Sequence, residues 1–180
     1  LYERSLAIRE AQLGPEHPTI AASLNNIANT RSALGQGEEA VALLERACSL
    51  SERALGSEHP FSVTLLSNLA SAQSSRGALD AAQAAGERAL QASERSFEPE
   101  HAQIGAVLTN LGQILEARGD QAGARRMFER ALAINARNFG RESQHVADAL
   151  GNLALVHQQR QMCIRDRHSS AQRRAIASSL

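Results

Sequence analysis

The chain contains no lysine: all 19 of its basic residues are arginine, and 19 acidic residues balance them to a formal charge of zero. No lysine means no Schiff-base amine, no phosphate-loop lysine and no lysine clamp for a peptide carboxylate. The balanced charge leaves no basic field to hold nucleic acid. Tryptophan is also absent and aromatic residues make up only 3% of the sequence, so a core must be built from Leu, Ile, Val and the abundant Ala, which favours closely packed helices. The two cysteines, Cys48 and Cys163, are far apart and outside any CxxC or Cys/His cluster, so no disulfide framework is expected. No apolar run approaches the roughly 20 residues needed to span a bilayer, and no charged-then-apolar signal segment opens the chain. The opening "LYERSLAIRE" already reads as mid-helix, so the natural start is expected upstream; a cytoplasmic location is the default expectation. With 43% apolar residues the chain can bury a core.

Internal repetition is pronounced. "GPEHP" at Gly14 to Pro18 returns as "GSEHP" at Gly56 to Pro60, as "EPEHA" at Glu98 to Ala102, and faintly as "GRESQ" at Gly140 to Gln144, each step being 42 residues. The same step relates Leu24, Leu66, Leu108 and Leu150, then Asn26, Asn68, Asn110 and Asn152, then Gly35, Gly77 and Gly119. It also relates the Glu-Arg-Ala triplets ending at Ala47, Ala89 and Ala131. A fixed period of this size is the mark of a repeat architecture.

Each unit is helical twice over. From Pro18 to Leu34 the apolar residues Ile20, Leu24, Ile27 and Ala28 follow three- and four-residue spacing, with Pro18 suited to a first helical position. Gly35 and Gly37 break the run. A second helix is predicted from about Glu38 to Leu55, with Ala40, Val41, Leu44, Ala47 and Cys48 on its apolar face and Gly56 as its cap. Small residues recur where the two helices should touch: Ala28, Ala70, Gly112 and Ala154 in the first, Ala40, Ala82 and Ala124 in the second. One hairpin cannot cover both of its faces, so stacking into a superhelical array with one continuous groove is expected.

At these residues the chain resembles the tetratricopeptide repeat family. Its signature positions are filled by Leu24, Ile27, Ala28, Ala40, Leu44 and Ala47; then Leu66, Leu69, Ala70, Ala82 and Ala89; then Leu108, Leu111, Gly112, Ala124, Phe128 and Ala131. The 42-residue unit with "ALxI" and "LGxEHP" is similar to the kinesin light chain subtype. The resemblance implies an all-α, right-handed superhelical solenoid of antiparallel helix hairpins that binds a protein or peptide in its concave groove. It implies no catalytic residues, cofactor or metal. The expected segments are 1–14 as the second helix of a truncated repeat, 15–56, 57–98 and 99–140 as repeats, and 141–161 as the first helix of a further truncated repeat. In two places the pattern departs from the family. Gly86 stands where Leu44 and Phe128 stand in the other hairpins, which predicts loose packing, and Arg31 and Gln73 stand where the family often has an aromatic.

His17, His59 and His101, each preceded by Glu, invite a metal or acid–base reading. They lie one repeat apart, about 10 Å if repeats stack at helix-packing distance, whereas a metal needs ligands converging at about 2 Å. Each Glu-His-Pro step is therefore read as a joint between hairpins. Asn26, Asn68, Asn110 and Asn152 precede core residues and should point off the packing stripe. In tetratricopeptide arrays the matching asparagines commonly hydrogen-bond a bound peptide's backbone, a task suited to an amide with donor and acceptor; the alternative is an asparagine bonding locally to its own helix or a neighbour. Helical spacing adds Asn25, Asn29, Ser67, Ser71, Thr109 and Gln113 as neighbouring candidates. Cys48, in register with Leu6, Leu90 and Leu132, reads as a core thiol, and the recurring Glu-Arg pairs as a solvated or inter-repeat face. No Gly-x-Ser-x-Gly elbow or triad is evident.

After "HVADALGNLALVHQQR" the register calls for glycine near residue 161, but the chain reads "QMCIRDRHSSAQRRAIASSL". Met162 to Asp166 is also a translation of ATGTGTATAAGAGAC, similar to a transposon end used in library preparation, so residues 162–180 are read as a non-native tail. Four arginines and one aspartate lie there, leaving 15 basic against 18 acidic residues in the array. The Ala- and Arg-rich, Lys-free composition points to a GC-rich bacterial gene. The leading expectation is a scaffold for a protein or peptide, with no nucleic acid and no membrane as partner. The alternative is a regulatory or sensing part of a larger signalling enzyme, an NTPase or a protease, whose catalytic domain would be an intramolecular partner. A histidine-based hydrolase within the repeats is the third reading.

Overall fold

The computed structural model describes residues 1–177, and side chains as far as Met162 apart from that of Arg160. Among the described residues eight helices follow one another: α1 (Tyr2–Leu13), α2 (Pro18–Ala33), α3 (Gly37–Leu55), α4 (Pro60–Ser75), α5 (Leu79–Ser96), α6 (Ala102–Ala117), α7 (Gln121–Phe139) and α8 (Gln144–Ala177). Among the described residues there is no strand. The pairs α2/α3, α4/α5 and α6/α7 form hairpins, and each second helix packs on the first helix of the next hairpin. The molecule is an all-α repeat solenoid.

The boundaries follow from residue chemistry. Pro18 and Pro60 open α2 and α4 at positions where a missing N–H costs nothing. Inside each hairpin the turn takes its positive φ from glycine: Gly35, Gly77 and Gly119 lie at 78°, 77° and 83°. Between hairpins, Gly14, Gly56 and Gly140 do the same, but Glu98 replaces the glycine after α5. There the chain leaves the helix through an extended Phe97, whose ring stacks on His101 at 4.2 Å.

The core runs along the stack. Leu24, Leu66 and Leu108 are fully buried, as are Ala28, Ala70, Ala40, Ala82 and Ala124 at the helix contacts. α8 departs from the pattern, being one continuous helix from Gln144 to Ala177 with no glycine to turn it near residue 161. Among the described residues no second helix of its own hairpin packs against it, and Leu150 is 51% exposed where its register mates are buried, with Ala154 exposed as well. Of the tail, residues 178–180 and the side chains from 163 onward lie outside the described residues.

The loose packing predicted at Gly86 is not found. Gly86 is buried, and a Cβ placed on it would sit 3.1 Å from Leu111 Cδ1 and 3.7 Å from Ile114 Cδ1. The space left by the missing side chain is filled from α6 of the next hairpin, which comparison with register mates alone does not reveal.

Candidate partner-binding groove

The stack has two unlike walls. Successive first helices approach one another most closely, α4 to α6 and α6 to α8, whereas successive second helices are bridged by long side chains. The first helices therefore lie on the inside of the curve. Helical spacing puts positions 22, 25, 26 and 29 and their register mates on this inner wall. All of them are uncharged except Asp148.

The asparagine ladder lies along this wall and is partly engaged within the protein. Asn68 Nδ2 donates to Asn25 Oδ1 at 2.9 Å, and Asn110 Nδ2 donates to Ser67 Oγ at 2.8 Å, so each amide ties its helix to the preceding first helix. Among the described residues neither Asn68 Oδ1 nor Asn110 Oδ1 accepts a hydrogen bond, and neither is a buried orphan, so both remain open to solvent. Asn26 is exposed and Asn152 half-buried. Of the neighbours, Asn29, Ser71 and Gln113 are exposed, Asn25 and Thr109 half-buried, and Ser67 buried as the acceptor for Asn110. The Thr109 hydroxyl is occupied by Gly105 O at 2.9 Å.

A cavity of about 270 Å³ opens on this wall between α6, the end of α7 and the start of α8. Thr109 and Asn110 line it, as do four residues not expected from sequence: Asn135, Phe139, His145 and Asp148. Two departures from register mark the place. Asp148 stands in a column otherwise filled by Ala22, Thr64 and Ala106, and Ala149 in a column otherwise holding the buried Ser23, Leu65 and Val107. A charge in a neutral column was legible in the sequence; the cavity itself was not.

The histidines form joints. Nδ1 of His17, His59 and His101 accepts the backbone N–H of Thr19, Phe61 and Gln103 at 3.3, 3.1 and 3.1 Å, so each ring N-caps a first helix. The glutamates before them, Glu16, Glu58 and Glu100, pair with Arg53, Arg95 and Arg137 at the ends of the second helices. Among the described residues no group of three His, Cys, Asp or Glu side chains could hold a metal. A second series, Arg46–Glu10, Arg88–Glu52 and Arg130–Glu94, joins consecutive second helices across the outer wall. Cys48 is buried there, and burial pushes its thiol up to about 12, with Glu52 adding to the shift, so it is a poor nucleophile at neutral pH. A second cavity, of about 550 Å³, lies between α3 and α5 on that side. It forms where Cys48, Gln73, Ala84 and Ala85 replace the bulkier Leu90, Leu115, Arg126 and Met127 of the next interval.

Stacked hairpins, glycine turns and an inner wall of amides and hydroxyls with one acidic position, Asp148, define a helical-repeat scaffold. The chain belongs to the tetratricopeptide repeat family, whose profile matches residues 1–53, 19–94 and 62–137. Its repeats are kinesin light chain-like. It is similar to a kinesin light chain candidate from Podosopora anserina with nearly identical TPR-like repeats (28% identity, 99% of this chain, 84% of the other, TM-score 0.76). In fold it is also similar to BtubC (BKLC) from P. vanneervenii (23% identity, 87% of this chain, 63% of the other, TM-score 0.77). The Sgt2 TPR domain from Aspergillus fumigatus is more distant (21% identity, 81% of this chain, 82% of the other, TM-score 0.61). No curated protein matches the sequence. Tetratricopeptide repeats are generally protein–protein interaction modules and typically non-catalytic. Among the described residues no helix is long and apolar enough to cross a membrane.

Proposed function

We propose that this chain holds an extended protein or peptide segment along its inner wall, with the asparagine ladder bonding the segment's backbone. One observation carries the reading: the amides of Asn68 and Asn110 are each fixed by a single inter-repeat bond that leaves a carbonyl oxygen and one N–H free. A fixed amide loses less freedom when a partner arrives, which favours binding. The near-neutrality of the wall suits recognition of backbone, which every segment offers. Asn26 and Asn152 extend the row, with Asn25, Asn29, Ser67, Ser71, Thr109 and Gln113 as its flanks.

The test is the double variant Asn68→Ala with Asn110→Ala, assayed against an array of extended peptides together with thermal unfolding. Loss of peptide capture with only a small change in unfolding supports the ladder. Unchanged capture removes it, and an equal loss of fold assigns both residues to inter-repeat bonding alone. A bound segment could equally come from another domain of a larger signalling protein, the intramolecular case, which the same wall would serve without change.

A further inference from the structure

We propose that the cavity between α6, α7 and α8 is a subsite for a basic side chain, an arginine or lysine, of the segment bound in the groove; this rests on the groove reading above. Asp148 is the one charged residue among positions 22, 25, 26 and 29 and their register mates, and among the described residues it pairs with no arginine. One of its carboxylate oxygens accepts from Gln144 Nε2 at 2.7 Å, which holds the group in place and leaves the other oxygen without a partner. Asn110 lines the same cavity with its amide nitrogen turned to Ser67, so its unpartnered carbonyl adds a second acceptor. The other walls are mixed: the apolar Ala106 and Ala149, the polar Thr109 and Asn135, and Phe139 with its ring centroid 4.1 Å from that of His145.

Acceptors at the rim, an aromatic face and the two alanines together suit a cation on a long aliphatic stem. The stem lies on the alanines, the head bonds the carboxylate, and the ring of Phe139 attracts the charge. An acidic side chain would meet Asp148 as a like charge. The space opens where Ala149 replaces the Leu65 and Val107 of the two preceding intervals, so pocket and charge arise at one place in the repeat.

The probes are labelled ten-residue peptides of alanine and serine with one central arginine, citrulline, leucine or glutamate, measured by fluorescence anisotropy on the whole chain. Citrulline keeps the shape of arginine without its charge. Arginine should bind about tenfold more tightly than citrulline, the factor expected for one charge-assisted bond. Asp148→Asn, which keeps the bond to Gln144, should bring that ratio close to one with unfolding unchanged. Ala149→Val, which copies Val107, should weaken the arginine peptide without removing the charge. The proposal is overturned by an arginine-to-citrulline ratio near one in the unaltered chain, by a ratio that survives Asp148→Asn, or by leucine binding best. If no probe binds at all, the groove reading itself fails and this subsite with it.

Discussion

At one level of the stack the second hairpin has Ala70 and Gly86, and the third has Gly112 and Phe128. The two pairs occupy the same register, yet they fill space in opposite ways. In the third hairpin the filling is internal: a Cβ on Gly112 would lie 2.5 Å from the ring of Phe128, which is fully buried. In the second it is external, with Leu111 of the next first helix closing over Gly86. A repeat therefore conserves volume at a level of the stack and leaves open which hairpin supplies it. The second hairpin is consequently more dependent on its neighbour than the third.

The comparison is tested most strongly by Phe128→Ala. Deleting a fully buried phenylalanine should cost about 3–5 kcal/mol, read as a shift in the denaturation midpoint. If the stack could re-supply volume from α8 as it does at Gly86, the loss would fall well below that range. Next comes the glycine pair. Gly112→Ala should cost about 1–3 kcal/mol because the ring of Phe128 cannot give way without strain. Gly86→Ala meets only the tip of Leu111, and the helix gains about 0.5–1 kcal/mol from losing a glycine, so its unfolding temperature should barely move. Equal effects at the two sites would show that the levels are packed alike.

A smaller effect is expected at the joints. His59 caps the first helix of the second hairpin through Nδ1, and His59→Ala should cost about 1 kcal/mol, within the range for lost N-caps, whereas His59→Asn should restore most of it. His101 has the same cap and a stacked Phe97 besides, so His101→Asn should recover less than His59→Asn. A full recovery at both would leave the stacked ring without a contribution to the joint.

The parts of this molecule that were legible in the sequence share one property: they are local. Pro18, Gly35 and Gly56 set helix ends through their own backbone chemistry, and the observed bounds of α2 and α3 lie within a residue of those expected. Burial of Leu24, Ala28 and Cys48 followed from spacing along one helix. What escaped depends on distances between hairpins. Leu111 over Gly86 joins residues 25 apart in sequence, and the bonds of Asn68 to Asn25 and Asn110 to Ser67 span 43. A period aligns equivalent positions without showing which unlike positions touch. The histidines were legible as joints but not as caps, because residue type does not reveal where a ring nitrogen points.

The smallest effects belong to the outer wall, and they supply the control for the rest. Arg88–Glu52 crosses from α5 to α3 at 2.8 Å, and Arg130–Glu94 repeats it from α7 to α5. The side chain of Arg88 is 58% exposed and that of Arg130 42%. Exposed pairs of this kind are worth about 0.2–1 kcal/mol, and less as salt screens them. Arg88→Ala and Arg130→Ala should therefore shift unfolding slightly and alike, and the shift should shrink further at high salt. Because these pairs are the same in both intervals while the cores differ, a large inequality between them would mean that the second and third hairpins differ in their whole geometry, and that the contrast between Gly86 and Phe128 is a consequence of that difference and not its source.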